Sequence, residues 1–317
     1  MKKVLITGAN GFIGHFLVKE FLKDYTVICI VRPGTRNLHR LVEVENKIEI
    51  IYHDIKNSYD SIVSKLKDVK IILHAAANPS SESSILDPFS VVMDNVVGTV
   101  HLLELSRKLN IERFVYFGAG ESFGPIKPGT DSGENDPYNS VSPYAASKAG
   151  GEELCISYAH TFGVPVSILH LTNTFGERSQ SKRFPVIAIK KILDDDILEL
   201  HIDENNMVGG RKWIYAGDVA LHTRFLLSNQ KHLYEKWNSS GNQFLTNLDF
   251  AEKIASILGK KLKYKFIPVQ RKGHNTYFSM SSDKFYKLGW KEDISIYDRL
   301  ADTVNWYKEN TKWLTEN

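Results

Sequence analysis

The chain has 317 residues, room for two domains or for one large α/β unit with a smaller lobe; a chain of this length needs no disulfide or metal staple. Hydrophobic residues at 42% and charged residues at 24% exclude a disordered or fibrous chain. The net charge of +3 is too small to point to nucleic acid as a partner.

At the amino terminus Lys2 and Lys3 precede an apolar run, but Gly8-Ala9-Asn10-Gly11 ends it after four residues, too soon for a secretory signal. No stretch of about 18 apolar residues is present, so no membrane span is expected. Cys29 and Cys155 lie far apart within apolar stretches and read as buried thiols of a reducing, cytoplasmic compartment. Short apolar runs at 3–7, 26–31, 48–52, 71–74, 113–117 and 166–170 read as strands. Stretches at 12–23, 58–66, 89–109 and 143–162 read as helices, with apolar residues three and four apart, as in Phe12, Phe16, Leu17 and Phe21. This alternation predicts an α/β fold with a doubly wound parallel sheet of Rossmann type. Beyond about Asn173 the rhythm changes, with helices expected at 184–193, 250–258 and 298–308 and a further one at 217–227 returning to the first unit. The expected organisation is a dinucleotide-binding domain of residues 1–173 with 213–230, and a smaller α+β lobe of residues 174–212 with 231–317.

Thr7-Gly8-Ala9-Asn10-Gly11-Phe12-Ile13-Gly14 follows the first strand and opens the first helix, the setting that turns a glycine pattern into a phosphate cradle. Gly8 and Gly11 permit a tight turn and close approach to a pyrophosphate, Gly14 lets the helix sit against the sheet, and the positive helix end faces the phosphates. The G-x-x-G-x-x-G spacing resembles that of the extended short-chain dehydrogenase/reductase family, whose members mostly act on nucleotide sugars. By that resemblance Asp54, in His53-Asp54-Ile55, would hold the adenine amino group. Ala75, Ala76 and Ala77 after His74 would leave room for the cofactor, and Asn95 in Asn95-Val96-Val97-Gly98-Thr99 would brace the sheet. A carboxylate that would accept hydrogen bonds from the ribose hydroxyls of NAD is missing from the end of the second strand, which reads Ile30-Val31-Arg32-Pro33-Gly34 with Arg36 nearby. Arg32 leans the choice between NAD and NADP toward NADP by pairing with a 2′-phosphate; stacking on adenine is the alternative.

Tyr144 and Lys148 stand at i and i+4 in Pro143-Tyr144-Ala145-Ala146-Ser147-Lys148, on one helix face. A phenol titrates near pH 10; an ammonium one turn away and a positive nicotinamide ring favour the phenolate, which can then take a proton from a sugar hydroxyl while hydride leaves the same carbon. The family's Ser or Thr after the fifth strand falls on Ala119, and the missing donor is worth about 2.7–4 kcal/mol of transition-state stabilisation; Ser122, three places on, would point elsewhere. Within the family, Pro137-Tyr138-Asn139-Ser140-Val141-Ser142-Pro143-Tyr144, Arg271-Lys272-Gly273-His274-Asn275, Lys287-Leu288-Gly289-Trp290-Lys291 and Thr303-Val304-Asn305-Trp306-Tyr307 resemble the nucleoside-diphosphate-glucose 4,6-dehydratase branch. That branch carries Thr-Asp-Glu after strand five, the Asp protonating the leaving hydroxyl and the Glu removing the C5 proton. Here the segment is Ala119-Gly120-Glu121, so Glu121 remains as a base while the acid has become a glycine.

The resemblance also implies Asn173, Arg211 and Arg271 as substrate-binding residues, the arginines gripping nucleotide and diphosphate; Lys182 and Arg183 read as a solvated basic loop. No His/Cys pair has zinc spacing, and no metal site is expected. The expected activity is a nicotinamide-dependent oxidation of C4 of a nucleotide-linked hexose, in a 4-dehydrogenase or epimerase. The alternatives are a 4,6-dehydratase, a cofactor-binding scaffold without turnover, and a reductase of small carbonyl compounds. By family resemblance a homodimer is expected, its helices at 89–109 and 143–162 pairing into a four-helix bundle.

Overall fold

The computed structural model of the protein describes residues 1–35, 38–127, 129–269 and 276–315. Six strands lie where the apolar runs predict them: β1 (Lys3–Thr7), β2 (Thr26–Val31), β3 (Glu49–Tyr52), β4 (Val69–His74), β5 (Arg113–Ala119) and β6 (Val166–Leu171). They form one parallel sheet with a seventh strand, Tyr234–Ser239, in the order Tyr234–Ser239, β6, β5, β4, β1, β2, β3. Strand order reverses between β1 and β4, and a ligand crevice is expected at the carboxyl ends of the strands beside such a switch point.

Both sheet faces are covered, which is why the inner strands β1, β2, β4, β5 and β6 are mostly apolar rather than alternating. Val4 and Ile6 face one side with Leu17, Phe21, Val219 and Trp237, under helices Phe12–Phe21 and Ala216–Asn229. Leu5 faces the other with Ile72, Leu102, Phe114 and Cys155, under helices Gly98–Leu109 and Pro143–Phe162. Both cysteines are free and buried, and no described helix is long and apolar enough to cross a membrane.

The long helix Pro143–Phe162 has local causes. The Ser142 side chain accepts from the Ala145 N–H, Pro143 occupies the first turn, and Gly163 ends the helix at φ 69°. Two other expectations need correction. The helix expected at 58–66 is a pair of short 3-10 turns, Tyr59–Ser61 and Val63–Leu66. The helix expected at 89–109 is broken: Pro88–Val92 runs into a π-helical turn, Met93–Val97, before Gly98–Leu109.

The smaller lobe is built on helices Phe184–Leu193, Asn247–Leu258 and Ile296–Glu309 around Phe175, Trp213, Phe250 and Tyr307. Its strands form a three-stranded sheet, Phe244–Thr246, Gly210–Lys212 and Tyr277–Phe278, and a parallel pair, Leu198–Ile202 with Tyr264–Pro268. The strand Tyr234–Ser239 moves the expected boundary at residue 231: the chain stays with the large sheet through this strand before entering the smaller lobe.

Candidate active site

The turn between β1 and the first helix is shaped by its glycines. Gly8 lies at φ 67°, where a β-carbon would also stand 2.7 Å from the Ala76 nitrogen, and one on Gly14 would stand 2.0 Å from the Gly8 oxygen. Substituting either forces helix and strand apart. The helix Phe12–Phe21 has no side-chain cap at Gly11, which leaves its amino-terminal N–H groups to a ligand and fits an anionic diphosphate. Above this turn lies a chamber of 320 Å³ lined by Gly8, Asn10, Gly11, Phe12, Ile13 and Gly14, by Arg32 and Ile55, and by Ala75, Ala76 and Ala77. All of these are among the residues that the sequence assigns to the cofactor. Asp54 is turned to the backbone N–H of Lys56, at 3.0 Å, while its neighbours His53 and Ile55 line the chamber. Arg32 donates from Nη2 to Asp94 Oδ1 at 3.1 Å. Arg36 lies outside the described residues.

A second chamber of 130 Å³ holds Ala119, Gly120, Glu121, Tyr144, Lys148 and Asn173. The two chambers share Ile13, Ala75, Ala77, Pro79, Thr174 and Arg183, so they are two ends of one groove. Asn95 lies behind it, 1% exposed. Its side chain accepts from the Asn78 N–H (2.7 Å) and donates to the Asn78 carbonyl (3.2 Å) and to Ser147 Oγ (2.9 Å). It therefore ties the loop after β4 to the long helix rather than bracing the strands themselves.

A buried hydrogen-bond chain sets the same loop. Thr99 Oγ1 donates to the Asn95 carbonyl at 2.6 Å, so it accepts from His74 Nε2 at 3.0 Å. His74 Nδ1 is then the acceptor for Thr7 Oγ1 at 2.9 Å, which itself accepts from the Ala76 N–H at 3.2 Å. This assigns His74 as the neutral Nε2–H tautomer. Burial, with Lys148 as the lesser cause, holds its pKa down to about 3.

Lys148 is buried on the same helix as Tyr144. Its Nζ sits 4.1 Å from the centre of the Tyr116 ring, and the Tyr116 hydroxyl donates to the Lys148 carbonyl at 2.9 Å. Burial lowers the Lys148 pKa to about 7. Burial and then Glu121 push the Tyr144 phenol above its ordinary value, and Arg183 acts in the opposite sense. Arg183 is thus a cation that favours the Tyr144 phenolate, while burial brings the Lys148 pKa close to neutrality. Arg183, read from sequence as a solvated loop residue, is exposed and also lines both chambers.

Glu121 is half-buried and accepts from Ser81 Oγ at 3.0 Å. Ser122 is turned away as expected, its hydroxyl donating to the Ala145 carbonyl at 3.2 Å. Thr172, which the sequence reading passed over, lines the second chamber just past the end of β6. It is 5% exposed, and its hydroxyl has no hydrogen-bond partner among the described residues. Arg211 does not line either chamber; it is buried with its guanidinium 5.4 Å from the ring of Phe278, and Phe278 forms part of the chamber wall. Arg271 lies outside the described residues. No cluster of metal-ligating side chains occurs among the described residues.

The pattern of the NAD dependent epimerase/dehydratase family matches residues 4–238. The chain is 28% identical over 328 residues to a dTDP-glucose 4,6-dehydratase of an Actinoplanes species, covering 99% of this chain and 100% of that one. Among solved structures it is similar to dTDP-glucose 4,6-dehydratase from Streptomyces venezuelae with NAD bound, at TM-score 0.90 and 27% identity, covering 99% of each chain. It is also similar to UDP-glucuronic acid 4-epimerase from Bacillus cereus in complex with UDP-glucuronic acid and NAD. There the TM-score is 0.87 and the identity 25%, covering 97% of this chain and 99% of that one.

Proposed function

This chain belongs to the NAD dependent epimerase/dehydratase family, and on that premise we propose that it oxidises C4 of a nucleotide-linked hexose as the first step of a 4-dehydrogenase or 4-epimerase reaction. The observation that carries this reading is the continuity of the groove: Tyr144, Lys148 and Glu121 stand at one end, and the glycine turn and uncapped helix stand at the other. Gly8, Gly11 and Gly14 with Ala75, Ala76 and Ala77 would hold the dinucleotide, and we take it to be NAD, which both solved structures cited above contain. When bound, it supplies the hydride acceptor and a positive ring that favours the Tyr144 phenolate. Tyr144 then takes the proton of the C4 hydroxyl. Glu121 is our candidate for the base next to a C4 ketone, and Arg211 and Arg271 are our candidates for the diphosphate, with Asn173 near the sugar.

The second reading is a 4,6-dehydratase. It is favoured by the retained Glu121 and by the likeness to dehydratases over nearly the whole chain. Against it stands Gly120, which has no group to protonate a leaving hydroxyl. Incubating the protein with NAD and a panel of nucleotide hexoses, and following product mass, separates the two. An isomer of unchanged mass or a ketone two mass units lighter is expected, and a product lighter by one water would overturn the preference.

The buried, free thiols suit a reducing cytoplasm. A homodimer is proposed through helices Gly98–Leu109 and Pro143–Phe162. Next to the latter, Leu86 (82% exposed) and Phe89 (73% exposed) present apolar surface that a partner copy would cover.

A further inference from the structure

We infer that Asp94 is the residue by which this chain selects NAD over NADP, acting through Arg32; the inference rests on the dinucleotide reading of the groove. The end of β2 lacks a carboxylate and carries Arg32, which lines the chamber. Arg32 is not a free cation there. Its Nη2 donates to Asp94 Oδ1 at 3.1 Å, across 62 residues of sequence. The two partners differ in exposure: the Arg32 side chain is 60% exposed and that of Asp94 6%.

That asymmetry decides which partner can yield. Asp94 sits in the π-helical turn Met93–Val97, next to Asn95, whose side chain is fixed by three hydrogen bonds. Its carboxylate lies at the buried end of the pair, while the Arg32 guanidinium reaches solvent. Among the described residues Arg32 is the only cation within ion-pair distance of it. A 2′-phosphate brings a charge of about −1.5 to −2. Pairing with Arg32, it would either strip Asp94 of its counter-ion and leave a buried carboxylate uncompensated, or share the guanidinium with a like charge beside it. A 2′-hydroxyl demands neither, because it is neutral and can donate or accept. Asp94 thus supplies, from a distant helix, the negative charge that the end of β2 lacks, and the lean toward NADP drawn from Arg32 alone is reversed.

The test needs no sugar substrate: the purified protein is titrated with NADH and with NADPH, and binding is followed by nicotinamide fluorescence. The wild type is expected to bind NADH the more tightly. Asp94→Asn is expected to raise NADPH affinity by about tenfold, the worth of one charge-assisted hydrogen bond, while NADH affinity stays within about threefold. Adding Arg32→Ala to that variant is expected to remove the gain. If Asp94→Asn does not fold by thermal melting, Asp94→Ser is used, which retains an acceptor for the guanidinium. An unchanged NADPH-to-NADH ratio in a folded Asp94 variant overturns the inference, as does a wild type that prefers NADPH. Equal loss of both dinucleotides on Arg32→Ala alone also overturns it, because that assigns Arg32 to adenine stacking. A folded wild type that binds neither dinucleotide overturns the cofactor reading itself.

Discussion

Met280 closes the space beside Gly120: a β-carbon on Gly120 would stand 2.9 Å from the Met280 sulfur and 3.2 Å from the Leu171 carbonyl oxygen. Met280 is fully buried, so its thioether would have to shift for a side chain at position 120 to fit. The position at which the dehydratase branch would carry its acid thus has no side chain here, and the Met280 thioether occupies the space beside it. Gly120→Asp is expected to destabilise the fold by about 1–3 kcal/mol through overpacking. Met280→Ala should cost about 2–5 kcal/mol alone, and the two changes together should cost less than their sum by about 1 kcal/mol or more. Urea midpoints of the four proteins measure this coupling; strict additivity would mean that the two side chains do not compete.

Tyr144→Phe removes the phenol without altering the ring. Turnover on whichever nucleotide hexose proves to be the substrate should fall by about 10²–10⁴-fold, with NADH affinity unchanged in the titration described above. A variant as active as the wild type would dismiss the phenol as the base.

Thr172 offers a hydroxyl where Ala119 offers none, and its unmade hydrogen bond is a cost that a substrate oxygen could relieve. Thr172→Val should therefore raise the melting temperature or leave it unchanged, while lowering turnover by about 10²–10³-fold. Ala119→Ser in the Thr172→Val background should restore part of the activity. Loss of stability together with loss of activity would instead mark Thr172 as a packing residue.

Lys148 makes the cofactor-free fold sensitive to pH. Its pKa is held near 7 in the folded protein against 10.5 normally, so between those values the unfolded chain binds more protons and stability rises with pH. Below about pH 7 the ammonium is buried and its cost is present in full. The urea midpoint of the wild type should climb between about pH 7 and 8.5, below the range in which the buried thiols of Cys29 and Cys155 oppose it, and Lys148→Met should flatten that climb. Parallel curves for the two proteins would locate the sensitivity elsewhere.

Much of this architecture was legible in the residues because its causes are local. The bounds of β1, β2 and the helix Pro143–Phe162 follow from apolar runs, a serine cap, a proline and a glycine close in sequence. The strand Tyr234–Ser239 was missed because Glu235 and Lys236 break its apolar pattern. Glu235 pairs with Lys284 and Lys236 with Glu152, each at 3.0 Å, contacts between residues far apart in the chain. At the site, the glycine turn, Tyr144, Lys148 and Glu121 were readable for the same local reason. Arg183, Thr172, Met280 and the Arg32–Asp94 pair were not, since each acquires its meaning from segments distant in the chain.

The late return of the chain to the large sheet constrains how such a protein can be altered. A fragment ending at residue 230 would leave the outer edge of β6 bare, with unpaired backbone groups ready to template aggregation. It would also remove Lys236, a counter-ion of the buried Glu152. The smaller lobe is consequently no detachable terminal cassette. New specificities must be written into it by grafting loops between fixed anchor strands, not by exchanging everything downstream of a single crossover.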